Sequence, residues 1–117
     1  MAAPTPTPLS ARELQEWLQR QERPLQLVDV REQQELAMAC LPHPVLHLPL
    51  SRSQEWMEGL GAQLDRDTDV VVLCHAGIRS WQFGCWLMQA QGYEKVWNLQ
   101  GGIDAWSITV DPSVPRY

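Results

Sequence analysis

The sequence predicts an α/β fold, a single domain with a mostly parallel five-stranded sheet flanked by helices on both faces. Three observations support this prediction. Helical apolar patterns alternate with short apolar runs along the chain. One run, Val70–Leu73, is the continuous β-branched stretch typical of a buried parallel strand. The length of 117 residues suits one hydrophobic core, and the chain shows neither an internal repeat nor a domain boundary.

The predicted elements begin after an N-terminal segment rich in proline. Alternating prolines prevent a helix over residues 1–9, so we expect a flexible tail there and a domain over 10–117. Ser10 and Glu13 form a capping-box pattern that begins the first helix, and Pro24 ends it. The next predicted elements are a strand at 25–30, a helix at 32–39 and a short strand at 45–48.

The second half of the chain continues the alternation. The predicted elements are a helix at 53–64, a strand at 70–73, a helix at 80–90, a strand at 95–99 and a helical turn at 101–106. Parallel sheets bind ligands at the carboxyl ends of their strands. Asp29, Cys74 and Gln100 all fall at such ends, so we expect them to converge.

Composition and charge limit the classes of partner. The net charge of −5 and a single lysine, Lys95, argue against nucleic acid or an anionic membrane. The longest apolar runs fall far short of the ~20 residues that span a bilayer, and the N-terminus lacks the pattern of a signal peptide.

The three cysteines, an odd number, fit a reducing compartment, and we expect a cytoplasmic protein. With His43, His47 and His75 a zinc site is conceivable, but the spacing lacks a structural-zinc pattern, so we predict neither a metal nor a cofactor.

The segment from Cys74 to Ser80 is the strongest candidate site. It reads Cys-His-Ala-Gly-Ile-Arg-Ser, directly after the predicted strand and directly before a predicted helix. At such a turn, backbone N–H groups and the positive end of the helix dipole favour a thiolate over a thiol. A buried structural cysteine is the alternative, but Gly77 permits a tight turn and Arg79 places a fixed charge inside it. These two residues favour a functional cysteine.

The length of the loop distinguishes between two chemistries. Four residues separate Cys74 from Arg79, whereas cysteine-dependent phosphatases use five to wrap a tetrahedral phosphate. The shorter loop suits one extra sulfur atom on Cys74 better than a phosphoryl group.

Three motifs together resemble the rhodanese-like family of sulfurtransferases, over roughly Ser10 to Trp106. They are Leu27–Glu32, which contains Asp-Val-Arg-Glu, the loop Cys74–Ser80, and Leu99–Trp106, which contains Gly-Gly-x-x-x-Trp. The chain departs from the family at Cys40–Val45, where many members carry Gly-His-Ile-Pro-Gly-Ala. It also has His75 and Ala76 where members that process thiosulfate well often place Arg or Lys, which bears on the use of a doubly charged donor.

The resemblance implies transfer of a sulfane sulfur from thiosulfate or a persulfide to cyanide, a thiol or a protein acceptor, through a persulfide on Cys74. The implied site comprises the loop residues that follow the nucleophile, which are His75, Ala76, Gly77, Ile78, Arg79 and Ser80. Their backbone N–H groups would stabilise the persulfide anion, and the Ser80 hydroxyl would reach the sulfur. Arg79 would either orient the donor or hold the loop by bonding a carboxylate.

Other residues near these motifs have less specific expected roles. We expect His75 to offer a pH-dependent charge at the mouth or simply to face solvent. Asp29 and Arg31 are supporting residues whose expected role is structural. Cys40 is either a loop residue that fills a small pocket, which we expect, or a second reactive thiol. We expect Cys85 to pack in the core, whereas Trp81 is left open as a candidate for the pocket mouth.

Two other functions stay open at this stage. The chain is alternatively a sulfur carrier or partner-binding module in which catalysis is weak or absent. A thiol phosphatase or arsenate reductase is the third reading, and the short loop and the lack of an evident general-acid loop argue against it.

Overall fold

Five short segments form one fully parallel sheet in the computed structural model, which describes residues 2–117. The strands are β1 (Thr7–Leu9), β2 (Leu25–Asp29), β3 (Leu46–His47), β4 (Asp69–Leu73) and β5 (Val96–Leu99). Their order across the sheet is β1-β5-β4-β2-β3, and every neighbouring pair is parallel. The predicted fold class is confirmed.

Six helices and one 3₁₀ turn connect these strands. They are α1 (Ala11–Arg20), α2 (Gln33–Met38), the 3₁₀ turn Leu50–Arg52, α3 (Ser53–Trp56), α4 (Leu60–Gln63), α5 (Ile78–Gln89) and α6 (Gly102–Thr109). The capping box of α1 forms as predicted: the Glu13 N–H donates to Ser10 Oγ at 3.1 Å, and the Ser10 N–H donates to the Glu13 carboxylate at 2.9 Å.

The segment predicted as one helix over 53–64 forms two short helices. The chain turns between Met57 and Gly59, because glycine is a poor helix former and Met57 has no core contact to hold it, being 44% exposed. Trp56 and Leu60 remain buried on the same side, so the apolar pattern is satisfied in spite of the break.

The prediction of a flexible tail over residues 1–9 is wrong at Thr7–Leu9. This segment forms β1 and supplies the fifth strand, in parallel register with β5, so that Leu9 lies opposite Leu99. Its one proline, Pro8, is tolerated because β1 is an edge strand, where a missing N–H leaves no ladder partner unsatisfied. Burial of Leu9 and Pro6 holds the segment against the domain.

Side chains along β4 alternate between two cores, one on each face of the sheet. Val70 and Val72 face α3, α4 and α5, whereas Val71 and Leu73 face α1 and α6. Both faces are therefore covered, which explains why this strand is a continuous apolar run.

The start of α6 packs directly on the turn that follows β4. The Ile103 N–H donates to the carbonyl of Cys74 at 2.9 Å, and the Asp104 N–H donates to that of His75 at 3.2 Å. Gly102 permits this approach, because its φ is +61° and a Cβ there would lie 2.5 Å from the Cys74 carbonyl oxygen. The Gly-Gly pair thus fixes the backbone at the candidate nucleophile.

We predict that Gly102→Ala destabilises the fold by about 3 kcal/mol, because the methyl group overlaps backbone and the left-handed conformation is strained. Gly61→Ala is the matched control, since no atom lies within 4 Å of its Cβ position and alanine favours the helix. Urea unfolding measures both free energies. A Gly102→Ala protein as stable as the Gly61→Ala protein would show that the close packing is not required.

A candidate active site at the carboxyl edge of the sheet

The thiol of Cys74 lies where three hydrogen-bonding groups converge. Its Sγ atom is 3.1 Å from the Gly77 nitrogen, 3.4 Å from the Ser80 nitrogen and 3.2 Å from the Ser80 hydroxyl. Gly77 caps α5 with a φ of +99°, a conformation that lets its N–H turn back toward the sulfur. The side chain is 1% exposed and sits at the positive end of the α5 dipole. The two N–H donors and the helix dipole suit a sulfur anion, because both direct positive charge at the sulfur.

Asn98 completes the immediate surroundings of the sulfur, and the sequence analysis missed it. The residue lies on β5, on the face covered by α5, and is buried. Its Nδ2 donates to the Gly77 carbonyl at 3.0 Å, and its Oδ1 accepts from the Ser80 hydroxyl at 2.5 Å. A polar residue at a core-facing strand position was the available signal, because an amide there needs buried partners.

Arg79 is held by Glu35 on α2. Its Nη1 and Nη2 donate to the two carboxylate oxygens at 2.7 and 2.9 Å, a bidentate pair. Hydrogen bonds from Arg79 lower the pKa of Glu35 to about 2, and the pKa of Arg79 is raised by the same contact. Of the two roles considered for Arg79, the carboxylate contact is the one present. Glu35 was not identified from the sequence.

Asp29 and Arg31 form a buried pair beneath the loop. Arg31 Nη2 donates to Asp29 Oδ2 at 2.8 Å, and the Arg31 backbone N–H donates to Asp29 Oδ1 at 3.0 Å. The guanidinium also donates to the carbonyl of Ala39 at 2.9 Å. Both side chains are almost completely enclosed, so their contacts are structural.

Tyr117 brings the end of the described chain onto the loop. Its hydroxyl accepts from Arg31 Nη1 at 2.9 Å and donates to Glu35 Oε2 at 2.8 Å. Its ring stacks on His75, with centroids 4.1 Å apart and planes 13° from parallel. His75 is therefore half-buried by an aromatic neighbour, and burial raises the pKa of Tyr117. Nothing in the local sequence pattern indicated this contact.

The remaining predicted residues are all more exposed than Cys74. Ala76 and Ile78 are exposed, and Trp81 is 45% exposed in the first turn of α5. Cys85 is partly buried on α5, and burial raises its pKa. Cys40 is exposed, so the expectation that it fills a small pocket is wrong; the turn after α2 directs it outward.

Residues 2–117 form neither a cluster of metal-ligating side chains nor a membrane-spanning helix. No group of three or more His, Cys, Asp and Glu side chains in that range is arranged to hold a metal ion. No helix formed by those residues has both the length and the apolar character needed to cross a membrane.

Known proteins resemble this chain in sequence and in fold. The family profile described as "Rhodanese-like domain" matches residues 10–109. A protein named "Sulfurtransferase" from Allochromatium vinosum is 42% identical over 81 residues, which cover 69% of this chain and 70% of that protein.

A longer relative and a solved structure extend the comparison. The Arabidopsis thaliana protein "Rhodanese-like/PpiC domain-containing protein 12, chloroplastic" is 44% identical over 92 residues, or 79% of this chain. The match spans only 30% of that protein's length. A crystal structure of a rhodanese-like domain protein from Staphylococcus aureus matches 95% of this chain and 98% of its own, with a TM-score of 0.71 at 24% identity. That similarity establishes the fold, and the profile match over 10–109 establishes that the chain belongs to the rhodanese-like domain family.

Proposed function

We propose that the chain is a sulfurtransferase that carries a sulfane sulfur as a persulfide on Cys74. The observation that supports this proposal is the convergence of the Gly77 and Ser80 N–H groups on Cys74 Sγ, at 3.1 and 3.4 Å. Donors already aimed at a sulfur stabilise negative charge there without reorganisation during the reaction. Relatives named as sulfurtransferases support the same role.

The first proposed step loads the cysteine. The Cys74 thiolate attacks the outer sulfur of thiosulfate, a new S–S bond forms, and the S–S bond of thiosulfate breaks. Sulfite leaves with the electron pair of the broken bond, and the outer sulfur of the new persulfide carries the negative charge. A low-molecular-weight persulfide serves in the same way, with a thiolate as the leaving group.

The second proposed step transfers the outer sulfur from Cys74 to an acceptor. Cyanide attacks the outer sulfur, the S–S bond breaks, and thiocyanate leaves. The electron pair of the broken S–S bond stays on the Cys74 sulfur, which becomes a thiolate again. A thiolate acceptor takes the sulfur by the same displacement and becomes a persulfide itself. Because the cycle starts from a reduced cysteine and the second step returns it to that form, we propose a reducing compartment such as the cytoplasm.

The charges of the loop favour a persulfide donor over thiosulfate. The positive charge of Arg79 is offset by Glu35, and the loop positions beside Cys74 are His75 and Ala76. A dianionic donor therefore gains less from side-chain charge here than from backbone N–H groups. We expect turnover with thiosulfate to be the slower of the two.

A sulfur-carrying module with a protein partner is the second candidate function. Exposed Ile78 and Trp81 favour it, because they lie three residues apart on the first turn of α5 and so share one face beside the loop. In that case Cys74 accepts sulfur from, or passes it to, a partner that covers this face. A stable persulfide with slow release to small acceptors would identify it.

Cys74→Ser tests the nucleophile. We expect the unsubstituted protein to gain about 32 Da, one sulfur atom, with thiosulfate or a persulfide donor, and to lose it with cyanide. Cys74→Ser should gain nothing, because serine lacks the thiolate. Intact-protein mass spectrometry measures the adduct, and Cys85→Ser is the matched control that should still be loaded. An adduct retained in Cys74→Ser would assign the nucleophile to another residue.

Arg79→Ala and Glu35→Gln together test what the ion pair does. If Arg79 holds the loop, both substitutions lower the rate of sulfur transfer, by about tenfold, because each weakens the same contact. Arg12→Ala, on the exposed side of α1, controls for loss of a surface charge. A Glu35→Gln protein that transfers sulfur faster than the unsubstituted protein would instead assign Arg79 to the donor anion.

The ion pair also predicts an acid-dependent stability. The folded pKa of Glu35 is lowered to about 2 from an ordinary value of 4.5, chiefly by hydrogen bonds from Arg79. The stabilisation is therefore complete above pH 4.5 and is lost as the pH falls toward about 2. Urea unfolding at several acidic pH values should show a smaller loss in Glu35→Gln than in the unsubstituted protein. Equal losses would contradict this assignment.

A further inference from the structure

The contacts of Asn98 determine where the hydroxyl proton of Ser80 lies. A backbone carbonyl only accepts hydrogen bonds, so the Asn98 atom facing the Gly77 oxygen at 3.0 Å is the donor Nδ2. The other amide atom, Oδ1, therefore faces the Ser80 hydroxyl at 2.5 Å. An amide oxygen only accepts, so Ser80 donates its one proton to Asn98.

This assignment also determines the direction of the contact between Ser80 and Cys74. The Ser80 oxygen and the Cys74 sulfur are 3.2 Å apart, and either atom is able to donate. With the Ser80 proton on Asn98, the sulfur must donate, which requires Cys74 to be a thiol. The arrangement is that of a resting, protonated cysteine.

If Cys74 is an anion, the hydrogen bond between Ser80 and Cys74 must run in the opposite direction, from the hydroxyl to the sulfur. Once the thiol proton has passed to a base in solvent, the sulfur only accepts hydrogen bonds. The Ser80 hydroxyl then gains by rotating its proton from Asn98 toward the sulfur, since hydrogen bonds to a charged atom are stronger than neutral ones. This leaves Asn98 Oδ1 buried without that donor, which opposes the change.

We propose that Asn98 is a positioning residue that holds the Ser80 hydroxyl proton while Cys74 is a thiol and yields it to the sulfur when Cys74 is an anion. Asn98 acts through Ser80, and it sets how readily the nucleophile forms. Its second bond, to Gly77, keeps the neighbouring peptide in place so that the Gly77 N–H stays directed at the sulfur. The consequence for turnover rests on the proposed sulfur transfer, but the ionisation of Cys74 does not.

A double-mutant cycle between Asn98→Ala and Ser80→Ala tests the proposal. The measured quantity is the pH at which Cys74 is half-ionised, taken from the rate of iodoacetamide alkylation of the Cys74 peptide, because Cys40 and Cys85 also carry thiols. Asn98→Ala also removes the contact with Gly77. That loss shifts the half-ionisation pH equally with and without the Ser80 hydroxyl, so it cancels when the two shifts are subtracted.

We compare the change in the half-ionisation pH of Cys74 that Asn98→Ala causes with Ser80 present and in the Ser80→Ala background. We expect the first change to be about one pH unit more negative than the second, which is a tenfold change in the ionisation equilibrium. The reason is that Asn98 competes with the sulfur for a proton only where the hydroxyl exists. Equal shifts in the two backgrounds would overturn the proposal and leave Asn98 as a purely structural residue.

A measurement on the unsubstituted protein covers the case in which a variant does not fold. The side-chain amide resonances of Asn98 in an NMR spectrum should move at the pH where Cys74 ionises, because Oδ1 loses its donor there. They should stay still over that range in Cys74→Ser. Resonances that do not respond to the ionisation of Cys74 would overturn the proposal.

Failure of the role proposed for Asn98 is distinguishable from failure of the proposed sulfur transfer. A protein that shows the coupling but forms no persulfide with either class of donor retains the role of Asn98 and loses the assignment as a sulfurtransferase. A protein that is loaded with sulfur but shows no coupling retains the function and loses the role of Asn98.

Discussion

The close approach of α6 to the turn after β4 is the constraint on which the site depends. Two backbone N–H groups of α6 hold the carbonyls of Cys74 and His75, and Gly102 allows the two backbones to meet. With these carbonyls directed toward α6, the amides that follow in the turn are free to point at the sulfur. The candidate active-site loop is thus shaped by a separate element, a helix that begins 28 residues after Cys74.

A second layer of contacts links the loop to α2 and to Tyr117. Glu35 receives Arg79 and the Tyr117 hydroxyl, while Tyr117 also accepts from Arg31. Desolvation offsets part of the attraction in charge pairs of this kind, so their stabilisation depends on Glu35 staying ionised. The pairs also fix geometry, because one carboxylate holds both an arginine of the loop and an aromatic ring beside it.

Much of this structure was predictable because its signals are local. The capping box at Ser10, the apolar run at Val70–Leu73 and the motifs at Cys74 and Gly101 are each contained in a few consecutive residues. The strand Thr7–Leu9 was missed because the alternating prolines at positions 4, 6 and 8 indicate irregular chain, and only its pairing with β5 makes it a strand. The break near Gly59 was missed because the apolar spacing continues across it.

The partners in the site were unpredictable for a related reason. Glu35 meets Arg79 from a distant helix, and Asn98 meets Ser80 from strand β5, so no spacing rule joins either pair. Local sequence motifs identified the cysteine and its loop, whereas the residues that contact the loop are defined by the tertiary fold alone.

The position of β1 has a consequence for the order in which the molecule assembles. Leu9 lies opposite Leu99, so nearly the whole described chain separates the two strands of this pair. During vectorial synthesis, β1 leaves the ribosome early and waits without its neighbour until β5 has emerged. Long-range parallel pairs form late because the intervening chain must be ordered first. The apolar face of α1 also waits, because Leu14 shares its core with Ile103 and Trp106 of α6, which follows β5 in the chain.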